Sequence, residues 1–224
     1  MSGFKGFSTE GLEFLSTLGS KDKSWLDVNR GTYQSKVAET AKSFVDALGP
    51  IFQDTISPDL EFSAKVNGSI APINNDIRFS PDASPYKDHL LFKFWEGPDK
   101  KIAPRLYVRL SEESVGFASG VFFHDVDAWR AKVDDDKAGA QLVEVIRQVN
   151  KSVKGLDVAG AALNRVPKPF NPEHPRADLL RHKSLQLRWY EPTPKGVTSA
   201  RFVDWTTKRL QKVAPLHHWL VEHL

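Results

Sequence analysis

Donor side chains and prolines are concentrated between residues 78 and 89, in a segment flanked by two strand-like runs. Arg78 and Lys87 supply fixed positive charge, while Pro81 and Pro85 each fix a φ angle and push the preceding residue away from helix. Such a loop can hold a phosphate or carboxylate through charge-assisted hydrogen bonds. The predicted ligand-binding residues of this segment, which we call the polar loop, are Arg78, Ser80, Ser84, Tyr86, Lys87 and His89.

The alternative interpretation is that the polar loop is structural, because serines and aspartates in turns commonly bond to nearby backbone groups. Strand alternation separates the two interpretations at Arg78. If Phe79 is buried, Arg78 and Ser80 face the opposite side, where Tyr86 and Lys87 can return. Arg78 is then a site residue.

A second proline-rich loop spans residues 164–176 and contains four prolines, so regular structure is not expected there. Lys168 and His174 in this loop, with Lys183 after it, could complete a cationic pocket with the polar loop. A hydrolase or transferase acting on a phosphorylated substrate is a further hypothesis, with Lys87 or His174 as the acid–base group and Tyr86 as donor.

Several other motifs carry no predicted chemistry. The segment Gly116–Gly120 lacks the Gly-x-Ser-x-Gly pattern of a nucleophile elbow, and His124-Asp125 is better explained as the cap of a following helix. His217, His218 and His223 are interpreted as surface residues of a terminal helix. No phosphate-binding or dinucleotide-binding glycine motif occurs, so no metal and no cofactor are predicted.

The composition is that of an ordinary globular protein: 224 residues, of which 40% are hydrophobic. We expect a single α+β domain over residues 1–224, with a helical part at 1–56 and a basic part at 160–224. No apolar run has the length of about 20 residues that crosses a bilayer, and no signal-peptide core is present. With zero cysteines as well, we expect a cytoplasmic location and no membrane partner.

The charge is unevenly distributed along the chain. Residues 1–150 carry 18 Lys and Arg against 22 Asp and Glu, whereas residues 151–224 carry 13 against 6. A helix from Ser199 places Arg201, Lys208 and Lys212 on one face near Trp205, a pairing that nucleic-acid surfaces use. Binding of nucleic acid or an acidic protein is therefore an alternative function, and a solvated basic face is the simpler explanation.

Helical periodicity dominates both ends of the chain. Ser8 is expected to cap a first helix that stops at Gly19, and Ser24 a second helix that Gly31 breaks. A long helix is predicted from Thr32 to Ser57-Pro58. Later helices are expected from Asp125 or Asp127, from Asp136, from Pro175 to Lys183, from Ser199 to Val213 and after Pro215.

The middle of the chain alternates with period two. Strands are predicted at 62–66, 91–95, 106–110 and 115–123, with a hairpin at Glu112-Glu113 and a later strand at 185–189. Short connections between successive strands predict an antiparallel sheet. The predicted fold class is α+β, with about five to six strands packed against N-terminal and C-terminal helices.

Three patterns together resemble a known bacterial family. They are Trp25-x3-Asn29-x3-Tyr33, the polar loop, and the later run from Pro167-Lys168-x-Phe170 through His174-Pro175 to Lys183, in this order. Over nearly its whole length the chain is similar to the domain of unknown function 2461, a family of conserved hypothetical proteins. The resemblance implies an α+β protein and supplies no activity.

The chain departs from the family pattern inside both loops. The family's loop usually reads Arg-Phe-Ser-Lys-Asp-Lys-Ser-Pro-Tyr-Lys, whereas Pro81 and Ala83 stand here where the two lysines would be. If the family's loop binds a highly charged ligand, we expect weaker binding or a less charged ligand here. In the second loop Pro169 stands where a glycine is usual, which implies a stiffer backbone.

Overall fold

The computed structural model describes residues 3–78 and 84–224. Its six-stranded antiparallel sheet has the order β1-β2-β3-β4-β6-β5. The strands are β1 (Leu60–Glu61), β2 (Leu90–Glu96), β3 (Arg105–Leu110), β4 (Ser114–Phe122), β5 (Asp157–Ala159) and β6 (Ser184–Pro192). The α-helices are α1 (Thr9–Leu18), α2 (Lys23–Val28), α3 (Arg30–Thr32), α4 (Glu39–Thr55), α5 (Val126–Asp134), α6 (Asp136–Ser152), α7 (Ala177–Leu180), α8 (Arg201–Leu210) and α9 (Ala214–His223). The α+β prediction is confirmed.

The N-terminal helices follow the sequence pattern with two differences. Ser8 caps α1 by accepting a hydrogen bond from the Gly11 amide, as predicted. The prediction that Ser24 caps α2 is wrong: the cap is Asp22, because its carboxylate accepts from both the Trp25 amide and the Ser24 hydroxyl. The predicted long helix begins as a π-helical segment, Tyr33–Ala38, before it continues as α4.

The sheet confirms the predicted hairpin and the four longer strands around it. The Ser111 amide donates to the Ser114 carbonyl across the turn between β3 and β4. The predicted strand at 62–66 is wrong, since only Leu60–Glu61 is a strand and Val66 forms an isolated bridge. The edge strand β5 was not predicted, because its residues alternate weakly and its pairing with β6 comes from distant sequence.

Two compact units divide the chain. The first comprises Met1–Phe94, Tyr107–Gly116 and Tyr190–Lys208. Its core is aromatic: the ring centroids of Phe44 and Phe92 lie 5.1 Å apart, those of Phe44 and Phe202 5.3 Å, and those of Phe52 and Phe94 4.7 Å. These contacts pack α4 against β2 and α8, so the inner face of β2 is buried.

The second unit comprises Trp95–Leu106, Phe117–Trp189 and Arg209–Leu224. Its core contains Trp129, whose ring stacks on Phe123 at 4.2 Å and whose indole N–H donates to the Leu179 carbonyl. The predicted cap is confirmed here, because Asp125 accepts from the first amides of α5. The predicted surface position of His217 is wrong: its side chain has 0% exposure and its Nε2 lies 2.9 Å from Glu96 Oε2.

Among the described residues, no helix is both long enough and apolar enough to cross a membrane.

Candidate functional site

The two arms of the polar loop are joined by backbone hydrogen bonds in the first unit. The Asn75 amide donates to the Pro85 carbonyl at 2.9 Å, and the Lys87 amide donates to the Ile73 carbonyl at 2.8 Å. The Asn75 side chain adds hydrogen bonds to the carbonyls of Ser84 and Tyr86. The predicted site residue Ser80, with Phe79 beside it, lies outside the described residues. The base of the loop is therefore ordered by its own backbone.

Lys87 is turned toward backbone carbonyls. Its ammonium donates to the carbonyl of Pro72 at 2.8 Å and also to that of Asn74. Burial lowers the pKa of Lys87 below the usual lysine range, because the charged form loses hydration. Both carbonyls belong to the opposite arm, so this cation fastens the loop.

Ser84 and Tyr86 are also joined by a hydrogen bond within the loop. The Ser84 hydroxyl donates to the Tyr86 carbonyl at 3.1 Å, and Tyr86 is only 6% exposed. Arg78 differs, because it lies at the surface and makes a bidentate ion pair with Asp76 at 2.8 and 2.6 Å. That pairing raises the pKa of Arg78 and lowers the pKa of Asp76. These contacts agree with the structural interpretation of Ser84, Tyr86 and Lys87.

His89 belongs to a different constellation, which sequence reasoning missed. We call it the His89 cluster: Asp88, His89, Arg109, Ser111 and Ser114. Asp88 and His89 immediately precede β2, whereas Arg109 lies on β3 and Ser111 and Ser114 at the β3–β4 turn. Strand pairing therefore assembles groups that are about twenty residues apart in the sequence.

The imidazole of His89 is oriented by Asp88. Its Nδ1 lies 2.6 Å from Asp88 Oδ1, and since an ionised carboxylate can only accept, the proton is assigned to Nδ1. Burial lowers the pKa of His89, although the hydrogen bond to Asp88 opposes this, and the same bond lowers the pKa of Asp88. Within the described part of the chain Nε2 makes no hydrogen bond, so a neutral His89 presents an acceptor there.

Arg109 is the cation of this cluster, and all of its side-chain contacts are long. Its Nη1 lies 3.3 and 3.5 Å from the hydroxyls of Ser111 and Ser114, and its Nη2 lies 3.2 Å from Asp88 Oδ1 and 3.1 Å from His89 Nδ1. By comparison, Arg181 approaches Asp178 to 2.6 Å. The Arg109 side chain is only 25% exposed. A partly buried guanidinium with long contacts can turn its donors to an incoming carboxylate or phosphate.

Tyr190 lies beside this cluster on β6. A Cβ on Gly116 would come within 2.6 Å of the Tyr190 ring and within 3.4 Å of Arg109 Cβ, so glycine allows the ring to cross β4. Tyr190 is 53% exposed. A phenol thus lies next to the strand that carries Arg109. The alternation of Arg109 with buried Val108 and Leu110 indicated an outward side chain but not its partners.

The remaining predicted residues, Lys168, His174 and Lys183, belong to the second unit. His174 is engaged locally: its Nδ1 accepts from the Arg176 amide at 3.0 Å, and its Nε2 lies 3.3 Å from Asp134 Oδ1. Lys168 and Lys183 are exposed, and their ammonium groups have no partner among residues 3–78 and 84–224. That these residues share a pocket with the polar loop stays a prediction.

Within these same two ranges, no group of three His, Asp or Glu side chains is arranged to hold a metal ion.

Comparison with known proteins gives one assignment. A search of the curated proteins finds no match. A family model described as conserved hypothetical protein (DUF2461) matches residues 10–219, a range that includes both loops and the His89 cluster. The chain therefore belongs to the DUF2461 family of conserved hypothetical proteins.

Proposed function

We propose that this protein binds a small anionic molecule that carries a phosphate or carboxylate, and that the His89 cluster receives the anionic group. The observation that carries the proposal is Arg109, whose side chain is only 25% exposed yet lies 3.1 Å or more from each of its side-chain partners. His89 adds an imidazole whose Nδ1 is held by Asp88. Hydrogen bonds from a guanidinium to an anion are among the strong ones in proteins.

The experiment is a thermal-shift survey of phosphorylated metabolites and small carboxylates. A ligand that binds only the folded state stabilises it by about 2.7 kcal/mol at a concentration of 100 Kd. We expect Arg109→Met to remove the ligand-dependent rise in melting temperature. Arg105→Met is the matched control, since Arg105 lies on the same strand with the same orientation. Equal ligand-dependent shifts in both variants would refute the site.

Catalysis on a phosphorylated substrate is a second proposal, favoured by the orientation of His89. The acid–base group would be His89 rather than Lys87 or His174, because those two are engaged by backbone and local partners. Substrate turnover that disappears in His89→Gln, while binding of inorganic phosphate persists, would support an enzyme. Turnover that is unchanged in His89→Gln would refute this role.

Binding of nucleic acid or an acidic protein through the basic last third is a third proposal. It is supported by the exposed side chains of Arg165, Lys168 and Lys183, which have no ion-pair partner in the described part of the chain. Electrostatic binding of this kind weakens steeply with salt.

A further inference from the structure

A cavity of about 540 Å³ lies in the first unit, along α2 and the turn that connects it to α1. Its volume is within the range of small-molecule sites, about 300–1,000 Å³. The residues that matter for its chemistry are Lys21, Asp22, Trp25, Val28 and Asn29. Trp25 and Asn29 are part of the four-residue spacing seen in the sequence, which the anion-binding proposal does not use.

Trp25 provides a supported aromatic surface. Its indole packs against Phe14, with ring centroids 5.2 Å apart, and Phe14 is itself buried. The ammonium of Lys21 lies over the indole at 5.9 Å from the centroid. Val28 is 87% exposed and lines the same cavity. The cavity therefore combines a half-buried indole, an exposed apolar side chain and a cation.

The polar groups of the cavity are unequally engaged. Asp22 Oδ1 already accepts from the Trp25 amide at 2.9 Å and the Ser24 hydroxyl at 2.8 Å. The Lys21 ammonium, by contrast, has no hydrogen bond or ion pair among the described residues, and neither has Trp25 Nε1. The donors of Lys21 and Trp25 are therefore open to a ligand that brings acceptor atoms together with a flat apolar part, while Asp22 Oδ2 stays available as an acceptor beside them.

Asp88 connects this cavity with the His89 cluster. A Cβ on Gly19, which ends α1, would lie 2.8 Å from Asp88 Cβ, and the next residue, Ser20, lines the cavity. On its other side Asp88 Oδ1 lies 3.2 Å from Arg109. Asp88 thus lies close both to Gly19, the neighbour of a cavity-lining residue, and to the proposed anion-binding arginine.

We propose that the cavity receives a planar aromatic ring stacked on Trp25, so that the ligand class of this protein is an aromatic anion, a ring that carries a phosphate or carboxylate. This inference rests on the proposed anion-binding function. The ligand's ring packs against Trp25 and Val28. The ammonium of Lys21 lies over the same indole and can attract the ligand's negative charge.

The test is calorimetric titration with three probes: inorganic phosphate, phenyl phosphate and cyclohexyl phosphate. We expect phenyl phosphate to bind roughly five- to tenfold more tightly than inorganic phosphate, and cyclohexyl phosphate to gain less because its ring is not planar. Val28→Glu places a carboxylate in the cavity at an exposed position, and we expect it to abolish this gain. Val143→Glu, at an exposed valine of α6, is the control that should retain it.

The outcomes separate the inference from the function on which it rests. If all three probes bind equally and Arg109→Met abolishes binding, the aromatic inference is wrong and the anion site stands. If no probe binds at all, both are wrong. If the gain for phenyl phosphate survives in Val28→Glu and in Trp25→Leu, the ring lies elsewhere and the cavity assignment fails.

Discussion

Lys87 and Arg78 show how two cations of one loop can have different roles. Lys87 satisfies two carbonyls of the opposite arm, whereas Arg78 pairs with Asp76 two residues away at the surface. Loss of a lysine that donates to two carbonyls across the loop, one of them part-buried, leaves those acceptors without their charged donor, while loss of a surface ion pair leaves its groups to water. The two residues therefore have different expected effects on stability.

For Lys87→Met we expect a loss of roughly 1–3 kcal/mol in the free energy of unfolding, because the carbonyls of Pro72 and Asn74 lose their donor. Urea denaturation measures it. Lys23→Met is the control, since Lys23 is exposed and its ion pair is with Asp27 along its own helix. A Lys87→Met protein as stable as the control would show that the loop does not depend on this lysine.

For Arg78→Met we expect a melting temperature close to that of the wild type, because both partners of its ion pair are exposed. We also expect the ligand-dependent shift to remain, in contrast with Arg109→Met. Thermal shift with and without inorganic phosphate measures both effects. A ligand-dependent shift that disappears in Arg78→Met would show that the anion binds at the polar loop instead of the His89 cluster.

At the scale of elements, Arg176 terminates helix α5. Its guanidinium donates to the carbonyls of Val133 at 2.6 Å and Asp134 at 2.9 Å, which are the last carbonyls of that helix and lack helical partners. We expect Arg176→Met to cost roughly 1–3 kcal/mol in the free energy of unfolding. Exposed Arg165, in the same loop, is the control: Arg165→Met should leave the denaturation midpoint unchanged. Equal midpoints in the two variants would contradict the role of Arg176.

The contact of α9 with β2 gives the protein a pH-dependent stability. Burial lowers the pKa of His217, although the hydrogen bond to Glu96 opposes the effect. Its pKa in the folded state then lies below the unfolded value of about 6.5. Since the unfolded state binds the proton more readily, the contribution is fully present above about pH 6.5 and is lost as pH falls toward the folded pKa.

We therefore expect the free energy of unfolding to decrease between pH 7.5 and about pH 5, and His217→Gln to show a shallower decrease. Urea titrations at successive pH values measure both slopes. His124→Gln, at an exposed histidine, should keep the wild-type slope. Identical slopes in the wild type and His217→Gln would show that another group causes the pH dependence.

At the scale of the whole molecule, the basic last third predicts salt-dependent contact with polyanions. Residues 151–224 carry 13 Lys and Arg against 6 Asp and Glu. We expect retention on heparin at low salt, reduced when Arg165, Lys168 and Lys183 are all replaced by Ala. Replacement of the exposed lysines Lys5, Lys42 and Lys65 is the control and should reduce retention less. Absence of retention at low salt would remove this alternative function.

The sequence by itself determined the elements of this protein. The spacing of apolar residues and the capping residues predicted α1, α4, α5, β3 and β4, because these signals depend on neighbours within a few residues. The same local signals placed the cap of α2 at Ser24 instead of Asp22, since the two residues are only two positions apart and both types can serve as caps. Family membership was also readable from the two loops.

Only the tertiary structure decided what the charged side chains face. The partners of Lys87 are 13 and 15 residues away, and those of Arg109 include residues 20 and 21 positions away. His217 meets Glu96 across 121 residues of sequence. Such pairs depend on the register between strands and on the packing of helices against the sheet, and a shift of one residue turns a strand's side chains to the opposite face. Local sequence patterns could therefore indicate that Arg109 points outward and that Lys87 lies in a loop, but the contacts that separate a binding cation from a structural one follow from the folded chain.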